Sequence, residues 1–168
     1  AAPDHAAADH GGKPGAEPAH AAPHWGYQGD AGPEHWATLS DDFETCASGK
    51  QQSPIDIVPP AHSPDVAPIR FTYLPSAGEL VDNGHTLQMN LQPGSFATID
   101  GRIYQLVQFH IHTPSEHTIG GESLPMELHL VHKDQTGRLA VVGVRFAAGA
   151  ESKAMAPVWS AAPGPGGK

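Results

Sequence analysis

The chain has 168 residues, 39% of them hydrophobic, and a formal net charge of -9 when histidine is counted as neutral. This length allows at most one domain with a real core, and the acidic balance argues against nucleic acid and anionic membrane surfaces as partners. There is no run of 18 apolar residues, so we expect no membrane span.

The first 23 residues differ in composition from the rest of the chain. They are rich in Ala, Pro, Gly and His and contain no large apolar residue, so they cannot bury enough surface to become ordered. We therefore predict a disordered arm over residues 1–23 and a folded domain over residues 24–168. Metal capture by histidines of the arm is an alternative to a plain solvated linker. The histidines concerned are His5, His10, His20 and His24.

From about residue 69 onward, short β-prone runs follow one another along the chain. The runs are residues 69–73, 86–91, 96–99, 103–111, 126–131 and 139–146. Asp100-Gly101 and residues 133–137 are typical hairpin connections between consecutive runs. No long stretch has a 3.6-residue period. The sequence therefore predicts a mostly antiparallel β protein with long loops.

Three histidines on two of these runs point to metal chemistry. His110 and His112 are two residues apart in a β-prone run, so their side chains should point to the same face of a strand. His129, on the next run, could complete a cage of three nitrogen ligands. Three protein ligands with an open fourth position are typical of a catalytic zinc site, whereas a fourth protein ligand is typical of a structural one.

Two polar residues accompany these histidines at matching strand parity. Gln108 lies two residues before His110, and Glu127 lies two residues before His129. Because a zinc-bound imidazole normally donates its other ring N–H to an acceptor, we expect each of these side chains to orient its histidine.

Two other histidines compete for the role of ligand. His132 has the opposite strand parity to His129, so a regular strand would point it away from the cage. His117 follows Pro114 and is expected in a loop. Any one of these histidines alone would more often be a surface or hydrogen-bonded residue than a ligand.

Several separated motifs resemble those of the α-class carbonic anhydrases, particularly the bacterial secreted type. They extend over roughly residues 24–159 and occur in the order that the family has. The motifs are His24-Trp25-Gly26-Tyr27, Gly32-Pro33-Glu34-His35-Trp36, Gln52-Ser53-Pro54-Ile55-Asp56-Ile57, Asn83-Gly84-His85, Gln108-Phe109-His110-Ile111-His112, Ser115-Glu116-His117 and Glu127-Leu128-His129-Leu130-Val131-His132. The resemblance implies a mainly β (α+β) fold, with a large central, mostly antiparallel twisted sheet and few short helices.

The resemblance also implies an activity. It implies a lyase, carbonate dehydratase, that uses zinc for the reversible hydration of carbon dioxide to bicarbonate and a proton. It implies His110, His112 and His129 as the zinc ligands, with Gln108 and Glu127 as their orienting partners. A non-catalytic zinc-binding or carbonic-anhydrase-like binding module is the alternative, and the three intact histidines argue against it.

Four further residues acquire roles only through the resemblance. His85 matches the family's proton-carrying histidine, and an imidazole with a pKa near 6.5 suits that role; alone it would be interpreted as a turn residue. Glu116 matches a buried carboxylate that accepts a hydrogen bond from a threonine hydroxyl. Val131 and Val141 match positions lining the apolar pocket for carbon dioxide; alone they would be interpreted as strand core.

The family continues beyond the residues present here, with that threonine, further strands and a disulfide partner for Cys46. We therefore expect residues 24–168 to be the N-terminal portion of a carbonic anhydrase domain, incomplete at its C-terminus. Such a fragment should expose sheet edges and apolar surface, be poorly stable or aggregate, and have weak or no hydration activity. The resemblance and the alanine-rich start lead us to expect a periplasmic or secreted protein, of undetermined oligomeric state.

Overall fold

The computed structural model describes residues 24–58 and 66–162 of the chain. The predicted arm, residues 1–23, lies outside the described residues. The chain divides into two compact units, Ala1–Gly49 and Lys50–Lys168. The expected single domain over residues 24–168 stays a prediction.

In the first unit, aromatic side chains pack around short helical segments. The segments are a 3-10 turn at Gly29–Ala31, helix α1 at Trp36–Leu39, a 3-10 turn at Asp41–Phe43 and helix α2 at Thr45–Ser48. The rings of Trp25, Tyr27 and Trp36 meet edge to face, with centroids 5.5 to 5.8 Å apart. This geometry is favourable for aromatic pairs. Because the helices of this unit are only about one turn long and bury little surface, the aromatic contacts supply much of its packing.

The second unit consists mainly of strands. They are β1 (Asp56–Ile57), β2 (Arg70–Thr72), β3 (Gly78–Asp82), β4 (Leu87–Leu91), β5 (Phe96–Ile99), β6 (Arg102–His112), β7 (Thr118–Ile119), β8 (Met126–Lys133) and β9 (Leu139–Phe146), followed by helix α3 (Ala156–Ala161). β1 and β7 form a small parallel pair, and the other seven strands form one antiparallel sheet. The predicted fold class, mainly β with few short helices, is confirmed. No helix in the described residues is long and apolar enough to cross a membrane.

The long strand β6 organises the large sheet. Along one edge, β5 pairs with its first half and β4 with its second half, while β8 pairs along the other edge and β9 pairs with β8. β5 and β6 are joined by Asp100 and Gly101, whose φ angles of 49° and 76° suit a two-residue hairpin turn. The predicted hairpin is therefore confirmed.

Cross-strand register aligns residues of four strands in two rows. One row runs Gln88, His110, His129, Gly143 across β4, β6, β8 and β9; the neighbouring row runs Asn90, Gln108, Val131, Val141. The two rows are two residues apart on each strand, so they share one face of the sheet. Ile111 of β6 and His132 of β8 have the opposite parity and are buried. The histidines of the candidate site thus lie on the face opposite these two buried side chains.

Candidate metal centre

Three imidazoles converge on this face of the sheet. The ring centroids of His110, His112 and His129 are 4.8 to 5.2 Å apart. One nitrogen of each ring can be chosen so that all three nitrogens lie within 4.8 Å of one another. β6 supplies two rings because residues two apart share a face, and β8 supplies the third because His129 is directly opposite His110. The structure thus brings together the three histidines predicted as ligands.

The second nitrogen of two of these rings faces an oxygen acceptor. Gln108 Oε1 lies 2.9 Å from His110 Nδ1, which leaves Nε2 of His110 for a metal ion. Glu127 Oε1 lies 3.2 Å from His129 Nε2, which leaves Nδ1 of that ring. Both expected orienting residues therefore lie beside their histidines, where acceptors that orient metal-binding imidazoles are expected.

Glu127 is itself held rigidly. It is 1% exposed, and its Oε2 accepts hydrogen bonds from the backbone N–H groups of Glu116 and His117, at 3.0 and 2.9 Å. Its Oε1 accepts from His117 Nδ1 at 2.8 Å. Burial raises the pKa of Glu127, but the bonds from His117 and the charges of His117 and His129 outweigh burial and lower it overall. Glu127 is therefore an ionised acceptor.

Sequence reasoning missed the parts that hold this carboxylate. His117 lies in a loop as expected, but it anchors Glu127, and only its place in the Ser115-Glu116-His117 motif hinted at a role. Gly143 is opposite His129, and a Cβ atom there would lie 2.6 Å from Glu127 Oε1. No local sequence signal marks such a close approach between neighbouring strands.

A second group of possible metal donors shares His129. It consists of His117, Glu127 and His129. Its donor atoms are already engaged in hydrogen bonds, because both carboxylate oxygens of Glu127 accept hydrogen bonds from His117 and from the loop backbone. A metal ion there would have to break these bonds. The group of His110, His112 and His129 is therefore the better candidate.

The local environment keeps the imidazoles of β6 neutral. Burial, together with neighbouring His112 and His129, lowers the pKa of His110 to about 4. Burial also lowers the pKa of His112, although the nearby carboxylate of Glu116 opposes this effect. Neutral imidazole is the form that binds a metal ion. At neutral pH, His110 and His112 therefore need not lose a proton for a metal to bind.

Glu116 lies beside the cage. Its Oε2 is 3.1 Å from His112 Nε2 and 3.7 Å from His129 Nδ1, and its side chain is 17% exposed. The backbone N–H of Glu116 is tied to Glu127. The carboxylate thus lies near one nitrogen of His112 and near the His129 nitrogen that Glu127 leaves available.

His85 lies in the exposed turn between β3 and β4. Asn83 Oδ1 accepts hydrogen bonds from the backbone N–H groups of His85 and Thr86, at 3.0 and 2.9 Å. The Thr86 hydroxyl donates a hydrogen bond to the carbonyl of Ile111. It also accepts one from the Ile111 N–H, at 3.0 Å. The turn carrying His85 is therefore fastened to β6 between His110 and His112.

The two valines predicted for a substrate pocket form a cross-strand pair. Val131 on β8 is directly opposite Val141 on β9. Val141 is exposed and lines a cavity of about 560 Å³ together with His129 and Glu116. Val131 is half-buried. An apolar side chain therefore borders the same cavity as two groups of the candidate metal centre.

Comparison with known proteins gives a consistent result. The family model for eukaryotic-type carbonic anhydrases matches residues 31–160. A carbonic anhydrase from Nostoc sp. is 43% identical over 83% of this chain and 54% of its own length. One from Klebsiella pneumoniae is 41% identical over 84% of this chain and 58% of its own length.

A solved structure agrees with these matches. The α-carbonic anhydrase from Thermovibrio ammonificans, in complex with the inhibitor sulfanilamide, superimposes with a TM-score of 0.79 and 41% identity, covering 84% of this chain and 63% of that one. The present chain spans just over half the length of the curated relatives it matches. With a family match over most of its residues, the chain belongs to the α-class, or eukaryotic-type, carbonic anhydrase family.

Proposed function

We propose that this chain carries the zinc centre of an enzyme that catalyses the reversible hydration of carbon dioxide to bicarbonate and a proton. The activity is a proposal for the whole protein, because the chain spans just over half the length of its curated relatives. The convergence of His110, His112 and His129 on one face of the sheet carries the proposal. Family membership supports the same reaction.

The residues present fit zinc. Three imidazole nitrogens suit the ion's preference for nitrogen ligands, and a set of three protein ligands is typical of catalytic sites. Gln108 and Glu127 supply the acceptors that such ligands need for their other nitrogens. When bound, zinc in such a site lowers the pKa of a water ligand to about 7, a value for which carbonic anhydrase is itself the reference case.

The chain's own residues would orient the histidines, line the substrate pocket and accept the released proton. Gln108 and Glu127 hold His110 and His129 in one orientation, so the cage does not have to reorganise during the reaction. Val131 and Val141 offer an apolar wall for a small uncharged substrate, and Val141 lines the cavity beside His129. His85, exposed in its turn, would accept the released proton on its imidazole and pass it to buffer.

The non-catalytic alternative is not favoured. A module that had lost its chemistry would have no need for three converging imidazoles, or for a buried carboxylate that orients one of them. All of these groups are present in the described residues.

Zinc content and stopped-flow carbon dioxide hydration, measured on the 168-residue chain and on His110→Ala, test this function. We expect the chain to bind one zinc ion and to show hydration, even if slow, that His110→Ala loses together with the metal. A His110→Ala variant with the metal content and rate of the parent chain would contradict the proposal.

We also propose a periplasmic or secreted location. This proposal rests on the resemblance of the sequence motifs to those of the bacterial secreted type. Cell fractionation of the source organism, with an antibody against this chain, tests it. Recovery in the cytoplasmic fraction alone would contradict it.

A further inference from the structure

We propose that Asp56 is a positioning residue for the metal centre, because it fixes the chain segment that holds the Glu127 carboxylate beside His129. The inference rests on the proposed zinc centre and extends that centre to β1. Asp56 acts through the connection between β6 and β8 (residues 113–125, which include β7), not through a metal or a substrate.

The side chain of Asp56 fastens two points of this connection. Its Oδ1 accepts hydrogen bonds from the Thr118 hydroxyl at 2.7 Å and from the Gly121 backbone N–H at 2.8 Å. The bond from Gly121, followed by the bond from Thr118, lowers the pKa of the Asp56 carboxyl. Asp56 is therefore an ionised acceptor at neutral pH, and bonds to an ionised acceptor are stronger than bonds between neutral groups.

The backbone contacts between β1 and β7 are few. The two strands pair in parallel, with Asp56 opposite Thr118. The N–H of Thr118 donates to the carbonyl of Ile55 at 3.3 Å, and the N–H of Gly120 donates to the carbonyl of Ile57 at 3.1 Å. A pair of two-residue strands is marginal by itself. The side-chain bonds of Asp56 therefore supply much of the attachment.

The attached segment leads directly to the metal centre. Thr118 follows His117, whose backbone N–H and Nδ1 both donate to Glu127, at 2.9 and 2.8 Å. Glu127 is 1% exposed, so it depends on these donors rather than on water. Its Oε1 lies 3.2 Å from His129 Nε2. A shift of Thr118 would therefore reach a predicted ligand through only two side chains.

A second contact ties the β1 segment to His117. Ser53 Oγ lies 3.4 Å from His117 Nε2, while Nδ1 of the same ring faces Glu127. The hydroxyl and the carboxylate thus lie at opposite nitrogens of the ring. Partners at both nitrogens favour a single orientation of the imidazole.

Zinc affinity of Asp56→Ala, measured by chelator competition on the 168-residue chain, tests the inference. We expect zinc to bind about three- to tenfold more weakly, a smaller loss than the roughly 10- to 100-fold typical of residues that contact a metal ligand. Asp56→Asn, which keeps an acceptor oxygen, should recover most of this loss. Thr118→Val should weaken zinc binding like Asp56→Ala, and Thr118→Ser should bind like the parent, so the test does not depend on one variant.

Asp134→Ala is the matched control. Asp134 follows β8, at the far end of that strand from Glu127, and its Oδ1 also accepts bonds from a threonine hydroxyl and from backbone N–H groups, at 2.7 to 2.9 Å. Both alanine variants should lower the unfolding free energy of the metal-free chain, but only Asp56→Ala should weaken zinc binding. With cobalt(II) in place of zinc, the visible spectrum should shift in Asp56→Ala and match the parent in Asp134→Ala.

A zinc affinity and a cobalt spectrum of Asp56→Ala equal to those of Asp134→Ala would overturn the inference and leave the three-histidine centre intact. Equal weakening in Asp56→Ala and Asp56→Asn would also overturn it, because the acceptor oxygen would then have no role. A parent chain that binds no zinc would overturn both this inference and the proposed function. The two failures are therefore distinguishable.

Discussion

At the scale of single residues, the candidate centre depends on how each imidazole is oriented. Gln108 faces the Nδ1 atom of His110, and Glu127 faces the Nε2 atom of His129. Glu127 in turn accepts three hydrogen bonds from residues 116 and 117. A substitution that moves Glu127 should therefore affect the metal centre without touching a ligand.

Gly143→Ala tests this dependence. A Cβ atom at residue 143 would lie 2.6 Å from Glu127 Oε1, so the carboxylate must move away from His117 and His129. We expect zinc affinity to fall by about 10- to 100-fold, the usual cost of losing such a partner. Gly149→Ala is the matched control, because nothing lies within 4 Å of a Cβ atom there. Equal zinc affinity in the two variants, measured by chelator competition, would contradict this account.

His132, on the other face of β8, predicts a pH dependence of folding. It is 0% exposed and hydrogen-bonded to the Tyr73 hydroxyl at 2.7 Å. Burial lowers its pKa, although backbone bonds to Ala140 and Leu130 oppose this. Because the folded-state pKa lies below the unfolded value of about 6.5, the unfolded chain takes up a proton more readily. The contribution of His132 is thus complete above pH 6.5 and is lost as pH falls below it.

Denaturant unfolding of the metal-free chain between pH 8 and pH 5 measures this effect. The unfolding free energy of the parent chain should fall more steeply on acidification than that of His132→Gln, which retains a polar side chain but cannot titrate. Parallel curves for the two proteins would show that His132 does not contribute.

At the scale of elements, much of the site follows from strand periodicity. The two-residue spacing of His110 and His112 predicts a shared face, and Asp100-Gly101 predicts the hairpin turn that begins β6; the structure has both. The bond from His117 to Glu127 depends instead on the path of a loop. The approach of Gly143 to Glu127 depends on the register of β8 with β9. Neither leaves a local signal in the sequence.

Thr86 connects the turn between β3 and β4 to strand β6. Its hydroxyl bonds both backbone groups of Ile111, which is 7% exposed and lies between His110 and His112. Thr86→Val keeps the shape but leaves those buried groups without their partner, so we expect a loss of about 1–3 kcal/mol in unfolding free energy. Thr86→Ser, which keeps the hydroxyl, should recover most of it. Equal unfolding free energies for the Val and Ser variants would show that the hydroxyl is unimportant.

At the scale of the whole molecule, the β9 edge of the large sheet is where we expect chains to associate. In the described part of the chain, β9 pairs only with β8, and its apolar side chains Leu139, Val141 and Val144 are exposed. Unpaired edges with exposed apolar residues favour association between chains. We therefore expect any aggregation of the chain to involve this edge.

Val144→Lys tests this location, because a lysine on an edge strand opposes edge-to-edge pairing. We expect the parent chain to self-associate in sedimentation velocity experiments as its concentration rises, and Val144→Lys to do so less. Ile103→Lys is the matched control, since Ile103 is also exposed but lies on the central strand β6. A monomeric parent chain with a cooperative thermal transition would contradict this prediction.

The position of the metal among the histidines is tested most simply by the zinc content of three proteins after equilibrium dialysis at saturating zinc. They are the parent chain, His112→Ala and His117→Ala, because His112 and His117 distinguish the two possible metal groups that share His129. We expect one zinc ion per chain in the parent and in His117→Ala, and none in His112→Ala. Zinc retained by His112→Ala and lost from His117→Ala would place the metal among His117, Glu127 and His129 and contradict the account.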